Sequence, residues 1–435
     1  MLQKKQSGMT RHLYPALVCF VASLFYVYEF TLRTMPSGME SELMRDFHIS
    51  AGGLGFLGSM FYYGYTLMQI PAGLLIDRFG TRKLFCISVV LCIFSTALFG
   101  QSHHVFIANL SFLLIGFAAS TAFVGSLVII SNWFPPKYFA MAVGLVQFLG
   151  CIGAIMGVGP IVAFVSRIGW HATVNWLVAI GVLIFILIVV FVRNSPKQCV
   201  SHQLNAHKKG GMSELQRLSN VCCNPQNWWV GLYAFAIWTP IVVMAGLWGL
   251  PFLMVKYDIN AQSASWGITI LWLGVAIGGP VAGLMSNLVR SRCEPLIFCA
   301  AIAVVTSILV LYVNLSWAWM CVMLFFLGVS ASGQALSFGV TQDNNHKQIV
   351  GTAIGFNNMA VVVGGMFLLP MIGMSLKHHW TGGMLNGAPV YALHDYRLGL
   401  ICVPLISLFA LVAARFYIKE THCILKYTDE SGLSP

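Results

Sequence analysis

The chain has 435 residues, 58% of them hydrophobic and 9% charged, with a net charge of +11. Soluble domains carry about 25% charged residues, so this composition excludes one and defines a polytopic membrane protein. The apolar runs are continuous over roughly 20 residues or more, which excludes a barrel of short alternating strands and leaves helices as the spanning element.

The first run, 13–38, follows Lys4, Lys5 and Arg11 and shows no small-residue cleavage site, so it reads as a retained span. Further runs follow at 51–76, 83–101, 105–131, 139–165, 172–193, 228–255, 263–289, 294–313, 316–341, 349–376 and 396–418, giving twelve expected spans. The longest polar connection, 194–227, reads as a cytoplasmic linker between six-helix halves at 1–193 and 228–435. Cations favour alternate connections. Lys4, Lys5, Arg82, Lys83, Lys208, Lys209 and Lys419 fall on the side of the N-terminus, whereas the other side holds only Arg45, Arg167, Lys256, Lys377 and Arg397. That bias places both termini in the cytoplasm and makes the positive charge a topology signal, with no nucleic-acid partner implied.

After the second run comes Gly73-Leu-Leu-Ile-Asp77-Arg78-Phe-Gly80-Thr-Arg82-Lys83. Asp77 is placed to meet a helix N-terminus and a guanidinium, Gly80 permits a tight turn and Gly73 admits a neighbouring helix. A shift of about 210 residues lays Gly73, Asp77 and Arg82 on Gly283, Asn287 and Arg292, and lays Gly144, Gln147 and Gly153 on Gly355, Asn358 and Gly364. Tandem repeats with a matching small-residue stripe are the pattern of two units around a central path.

The Gly73 to Lys83 segment resembles the signature loop of the major facilitator superfamily, and the resemblance covers essentially the whole chain. The glycine-rich stretch ending in Pro160 is similar to that family's glycine-proline motif in the fifth span. Trp133-Phe134-Pro135 and the segment from Glu29 to Pro36 resemble the bacterial nitrate/nitrite-type and phagosomal nutrient transporter branch. The resemblance implies an all-α fold of twelve transmembrane helices in two six-helix repeats, working by alternating access in the bacterial inner membrane. It also implies a conformational latch at Gly73, Asp77, Arg78, Gly80 and Arg82. The second copy departs from the pattern at Asn287 and Leu288, so one half alone is expected to carry a latch.

A charge at bilayer depth costs several kcal/mol unless it is paired or faces water. Glu29 and Arg33 are the charges set away from the ends of the apolar runs, four apart on one helix face, with Tyr26 one turn earlier. At 1.5 Å per residue they lie roughly 24 and 30 Å along the first span, beyond the midplane. Two readings stand side by side. Arg33 receives a substrate anion while Glu29 binds a proton or an amine, or the two neutralise each other as a structural pair. Further candidates for substrate contact are Tyr62, Tyr65 and Gln69 on one face of the second run, Gln147 in the fifth, Trp238 in the seventh, Gln334 in the tenth, and Asn357 and Asn358 in the eleventh.

No nucleotide-binding Gly-x-x-x-x-Gly-Lys-Ser/Thr loop is present, so coupling is expected from a gradient, with Glu29 the proton site. One arginine, one acid and several amides suit a small polar solute with a carboxylate, such as an amino acid or organic acid. Siderophore transport, drug or metabolite efflux and a non-transporting receptor are the alternatives. No nucleophile-base or metal constellation lies at one depth, so no enzyme, cofactor or metal is expected. The 12 cysteines fall mostly within apolar runs as small hydrophobes. The expected partners are a small-molecule substrate, protons and the lipid bilayer, and the expected state is a monomer.

Overall fold

The computed structural model describes residues 8–134, 136–194, 214–346, 349–385 and 388–424. Helix α1, Gly8–Thr34, is followed by a short 3-10 turn, Met35–Gly38, and α2, Glu40–Asp46. Next come α3, Ala51–Phe79; α4, Thr81–Gly100; α5, Val105–Trp133; α6, Pro136–Met156; α7, Gly159–Ile168; and α8, Trp170–Phe191. The second half of the chain holds α9, Glu214–Cys223, and α10, Pro225–Pro240, which runs through a π-helical segment, Ile241–Trp248, into α11, Gly249–Tyr257. Helices α12, Ala261–Val289, and α13, Cys293–Tyr312, precede α14, Trp317–Ser330, and α15, Gly333–Asp343. The chain then forms α16, Val350–His379, a two-residue hairpin (Met384–Leu385 with Ala388–Pro389), α17, Leu393–Gly399, and α18, Cys402–Val412.

Among the described residues, eleven helical stretches are long and apolar enough to cross a membrane. The expected second run is the 29-residue helix α3, in which the side chains of Ile70, Leu74 and Asp77 lie outside the described ones. Several runs expected as single helices are interrupted. The fifth breaks between α6 and α7, beside Pro160, which has no N–H to continue the ladder. The seventh widens into a π turn directly after Pro240, and the tenth breaks at Ala331-Ser332. Cys222 and Cys223, which lie in the polar 194–227 connection, end helix α9.

Because lipid is as apolar as the side chains, helix pairs depend on close packing and interhelical hydrogen bonds. Helices α1 and α6 use both. Thr31 Oγ1 donates to Gly153 O at 2.9 Å, and Thr34 Oγ1 donates to Ala154 O at 3.1 Å. A Cβ at Gly153 would overlap Val27 O of α1, so Gly153→Ala is expected to destabilise the protein by about 1–3 kcal/mol. Thermal unfolding in detergent reads this directly, and an unchanged midpoint would mean that the two helices part without penalty.

At the basic end, Gly80 turns the chain between α3 and α4 with φ +80, and an added Cβ there would meet Asn194. The Arg82 N–H donates to Asn194 Oδ1 and its Nη2 to Val189 O, each at 2.7 Å, so Arg82 is tied to its own half. The repeat copy has a different partner set. Arg292 pairs with Asp343 at the end of α15, at 3.1 Å, and Glu420 accepts the Arg292 and Cys293 N–H groups at 2.8 Å, capping α13 from the C-terminal segment. The acid missing at Asn287 is thus supplied from elsewhere in the chain.

Candidate functional site

A central cavity is lined by Tyr26, Phe30 and Arg33 of α1, Tyr65 of α3, Phe123 of α5, Gln147 of α6, Trp238 of α10, Gln334 of α15, and Asn358, Val361 and Val362 of α16. Both halves of the chain contribute. Its volume of about 20 Å³ holds little more than an ordered water, so a solute enters only as the walls separate.

Arg33 and Glu29 pair within the bundle, with Glu29 fully buried and Arg33 9% exposed. The guanidinium carbon lies 4.3 Å from the Phe30 ring centroid, 4.9 Å from Tyr65 and 5.1 Å from Phe61. This aromatic cage supplies cation-π attraction, with the Tyr65 hydroxyl as its neutral oxygen on the guanidinium. Arg33 Nε and Glu29 Oε2 both lack a hydrogen-bond partner. Arg33 lines the cavity and Glu29 sits behind it, so the arginine presents donor capacity to the cavity while the carboxylate holds it from the rear.

The amides divide by role. Gln147 accepts from Tyr26 Oη at 3.2 Å, and both line the cavity. Asn358 Nδ2 donates to Gln69 Oε1 at 2.9 Å, joining α16 to α3 across the halves. Asn357 donates instead to Ser337 Oγ at 2.8 Å, away from the lining. Tyr62 packs where a Cβ at Gly365 would fall, closing α3 on α16. Of the expected contact residues, Tyr26, Arg33, Tyr65, Gln147, Trp238, Gln334 and Asn358 converge on the cavity, whereas Glu29, Tyr62, Gln69 and Asn357 stand behind it. The repeat mates Gln147 and Asn358 face one space. The cavity also takes Phe30, Val361 and Val362, which stand at helical spacing from Tyr26 and Asn358, and Phe123 of α5, which carries no such signal in the sequence.

The cavity is sealed at one end. An added Cβ at Gly55 would overlap Leu369 O, and one at Gly373 would overlap Ala51 O, so α3 and α16 touch backbone to backbone there. The Ala51 N–H donates to Tyr391 Oη at 2.8 Å across the same seam. Toward the basic end, a Cβ at Gly73, Gly144, Gly279, Gly283, Gly351 or Gly355 meets nothing within 4 Å. These glycines lie on four helices, α3, α6, α12 and α16, and leave open space beside them. Of the latch residues, Gly73 is open, Arg78 lies 5.3 Å from the Phe79 ring, and the Asp77 side chain lies outside those described.

A helical bundle in which residues from both halves of the chain line a central cavity, with two helices packed backbone to backbone at one end of it, fits an alternating-access carrier. The chain belongs to the Major Facilitator Superfamily, whose pattern matches residues 19–370, and this makes it a transport protein rather than an enzyme. It is 25% identical over 416 residues to the "Probable galactarate/D-glucarate transporter GudP" of Escherichia coli (strain K12), covering 85% of this chain and 89% of that one. The protein of the same description from Pseudomonas putida is 24% identical, with 87% and 90% covered. A solved bacterial homolog of the human lysosomal transporter Spinster, inward-facing and unoccupied, superposes with a TM-score of 0.70 at 18% identity, covering 93% of this chain and 98% of that one. These relatives are of the galactarate/D-glucarate type, and Spinster supplies the shared fold. The nitrate/nitrite-type and phagosomal nutrient branch expected from Trp133-Phe134-Pro135 and the Glu29 to Pro36 segment is not specifically the one these relatives represent.

Proposed function

We propose that the protein is a proton-coupled secondary transporter of a small polar solute bearing a carboxylate, an organic acid or amino acid, across the bacterial inner membrane. Arg33 carries this reading: a caged, buried guanidinium with an unused Nε, facing a cavity shared by both halves. The names of the relatives support an organic-acid solute over a siderophore. Helix α3, second in order, brings the spans to twelve, the halves 1–193 and 228–435 rock about the cavity, and both termini are cytoplasmic. The sealed end is then periplasmic and the end with open space beside its glycines faces the cytoplasm. In the opposite state the Gly73 to Arg82 segment latches the halves at the basic end.

Coupling follows from competition for one cation. A solute carboxylate that takes Arg33 releases Glu29, and a buried carboxylate without its partner takes up a proton. The loaded site then holds one guanidinium, one carboxylate and one neutral acid, and is electroneutral. A dianion leaves an uncompensated charge in the bilayer, costing several kcal/mol. Proteoliposome flux tests this. Monocarboxylates such as aldonates are expected to be transported at least about a hundredfold more effectively than fully ionised aldarates, about 2.7 kcal/mol in discrimination. Equal transport of both classes would remove the charge-balance argument, and no flux across acids and amino acids would favour a receptor.

A further inference from the structure

Glu40 opens α2, in the connection between α1 and α3, outside the membrane-spanning segments. It is 8% exposed, and its neighbours Met39 and Leu43 are fully buried. Helix α2 packs on the outer hairpin strand Ala388–Pro389, which belongs to the other half of the chain. Beyond that strand lie Tyr391, Asp395 and Tyr396, each no more than 5% exposed. Glu40 is close enough to bear electrostatically on both tyrosines, and Asp395 bears on Tyr396. The Asp395 carboxylate is occupied by the Ala392 N–H at 2.9 Å. Among the described residues no cation offsets Glu40, and the charge acting on it is the like charge of Glu42 on the same helix.

We propose that Glu40 is a second proton-binding site, which must be neutral for the seam between α2 and the outer hairpin to close and which ionises when that seam opens to water. The proposal rests on the alternating-access reading above. It differs from Glu29 in consequence. Glu40 reaches solvent only through the end it seals, so its proton enters and leaves on one side and is never carried across. Glu40 therefore sets the balance between open and closed gates in response to the pH outside, without entering the transport stoichiometry.

The sign follows from linkage. Burial first, then Glu42, raises the Glu40 pKa to about 8 in the closed gate, whereas an exposed glutamate titrates near 4.5. The closed gate is fully favoured below the open-state value, and that advantage is lost as pH rises through the closed-state value. Between about 5 and 8 the open-to-closed ratio is expected to rise about tenfold per pH unit.

The test is pulsed electron spin distance measurement in lipid nanodiscs, with spin-labelled unnatural residues replacing the exposed Ser41 and His394 on opposite sides of the seam. A Glu29→Gln background removes the central acid, and no substrate is needed, so failure here is separable from failure of the substrate assignment. The expected result is a long-distance population that grows from pH 5 to 8 and becomes independent of pH in Glu40→Gln. Tyr391→Phe, which removes the oxygen that receives the Ala51 N–H, should raise the open population at every pH while keeping the slope. A flat profile in the parent, or an unchanged slope in Glu40→Gln, would overturn the proposal. In proteoliposomes, Glu40→Gln should keep the parent proton-to-solute ratio, and a lowered ratio would make Glu40 a carried-proton site instead.

Discussion

Arg33→Gln is expected to lower uptake of carboxylate solutes by at least about thirtyfold, because truncating a buried charge that binds an anion costs about 2–5 kcal/mol. The single variant also strands Glu29 in an apolar site, a destabilisation of about 3–5 kcal/mol unless that acid takes a proton. Loss of flux in Arg33→Gln alone is therefore ambiguous between failed binding and failed folding. The double variant Arg33→Gln/Glu29→Gln resolves this, since it removes both charges and leaves two amides that bond each other. Its thermal midpoint should return toward that of the parent while uptake stays as low. Arg33→Lys should recover a fraction of uptake, keeping the charge but losing the planar fork that grips a carboxylate by two bonds. Uptake within a few-fold of the parent in the double variant would show that Arg33 is structural and that the anion is held elsewhere.

Glu29→Gln separates coupling from binding. A gradient of one pH unit supplies about 1.4 kcal/mol, so the parent should concentrate a monoanion about tenfold per unit of imposed gradient. The variant should lose this response while counterflow of labelled against unlabelled solute continues. It should also bind the solute more tightly at neutral pH, because the carboxylate that competes for Arg33 is gone. An intact gradient response in Glu29→Gln would move the carried proton to another group. Tighter binding without loss of coupling would leave the competition standing and place the proton site elsewhere.

Much of this site was legible in the sequence. A glutamate and an arginine four apart inside an apolar run have few ways to exist, and their spacing sets them on one helix face before any fold is known. The repeat offset carried further, since it paired Gln147 with Asn358, and these two do face one cavity. Residue identity alone did not separate lining from support. Gln69 and Asn357 are amides like their neighbours, but Gln69 bonds Asn358 across the halves and Asn357 bonds Ser337 in its own half. Asp343 passed unremarked at the end of an apolar run, and it is the acid that Arg292 pairs with.

Apolar run length determined by itself that this chain is a helical membrane protein, and the repeat and the bias of basic connections gave the expectation of two related halves with cytoplasmic termini. These properties depend on residues near one another in sequence, on composition summed over a helix, or on copies at a fixed offset. Tertiary structure decided which end is sealed, which amides reach the cavity and that Glu40 is buried. Tyr391 meets Ala51 from 340 residues away, and the hairpin that packs on the helix of Glu40 belongs to the opposite half. A side chain's solvation is set by what packs against it, and nothing in the sequence around Glu40 says which distant segment will exclude its water.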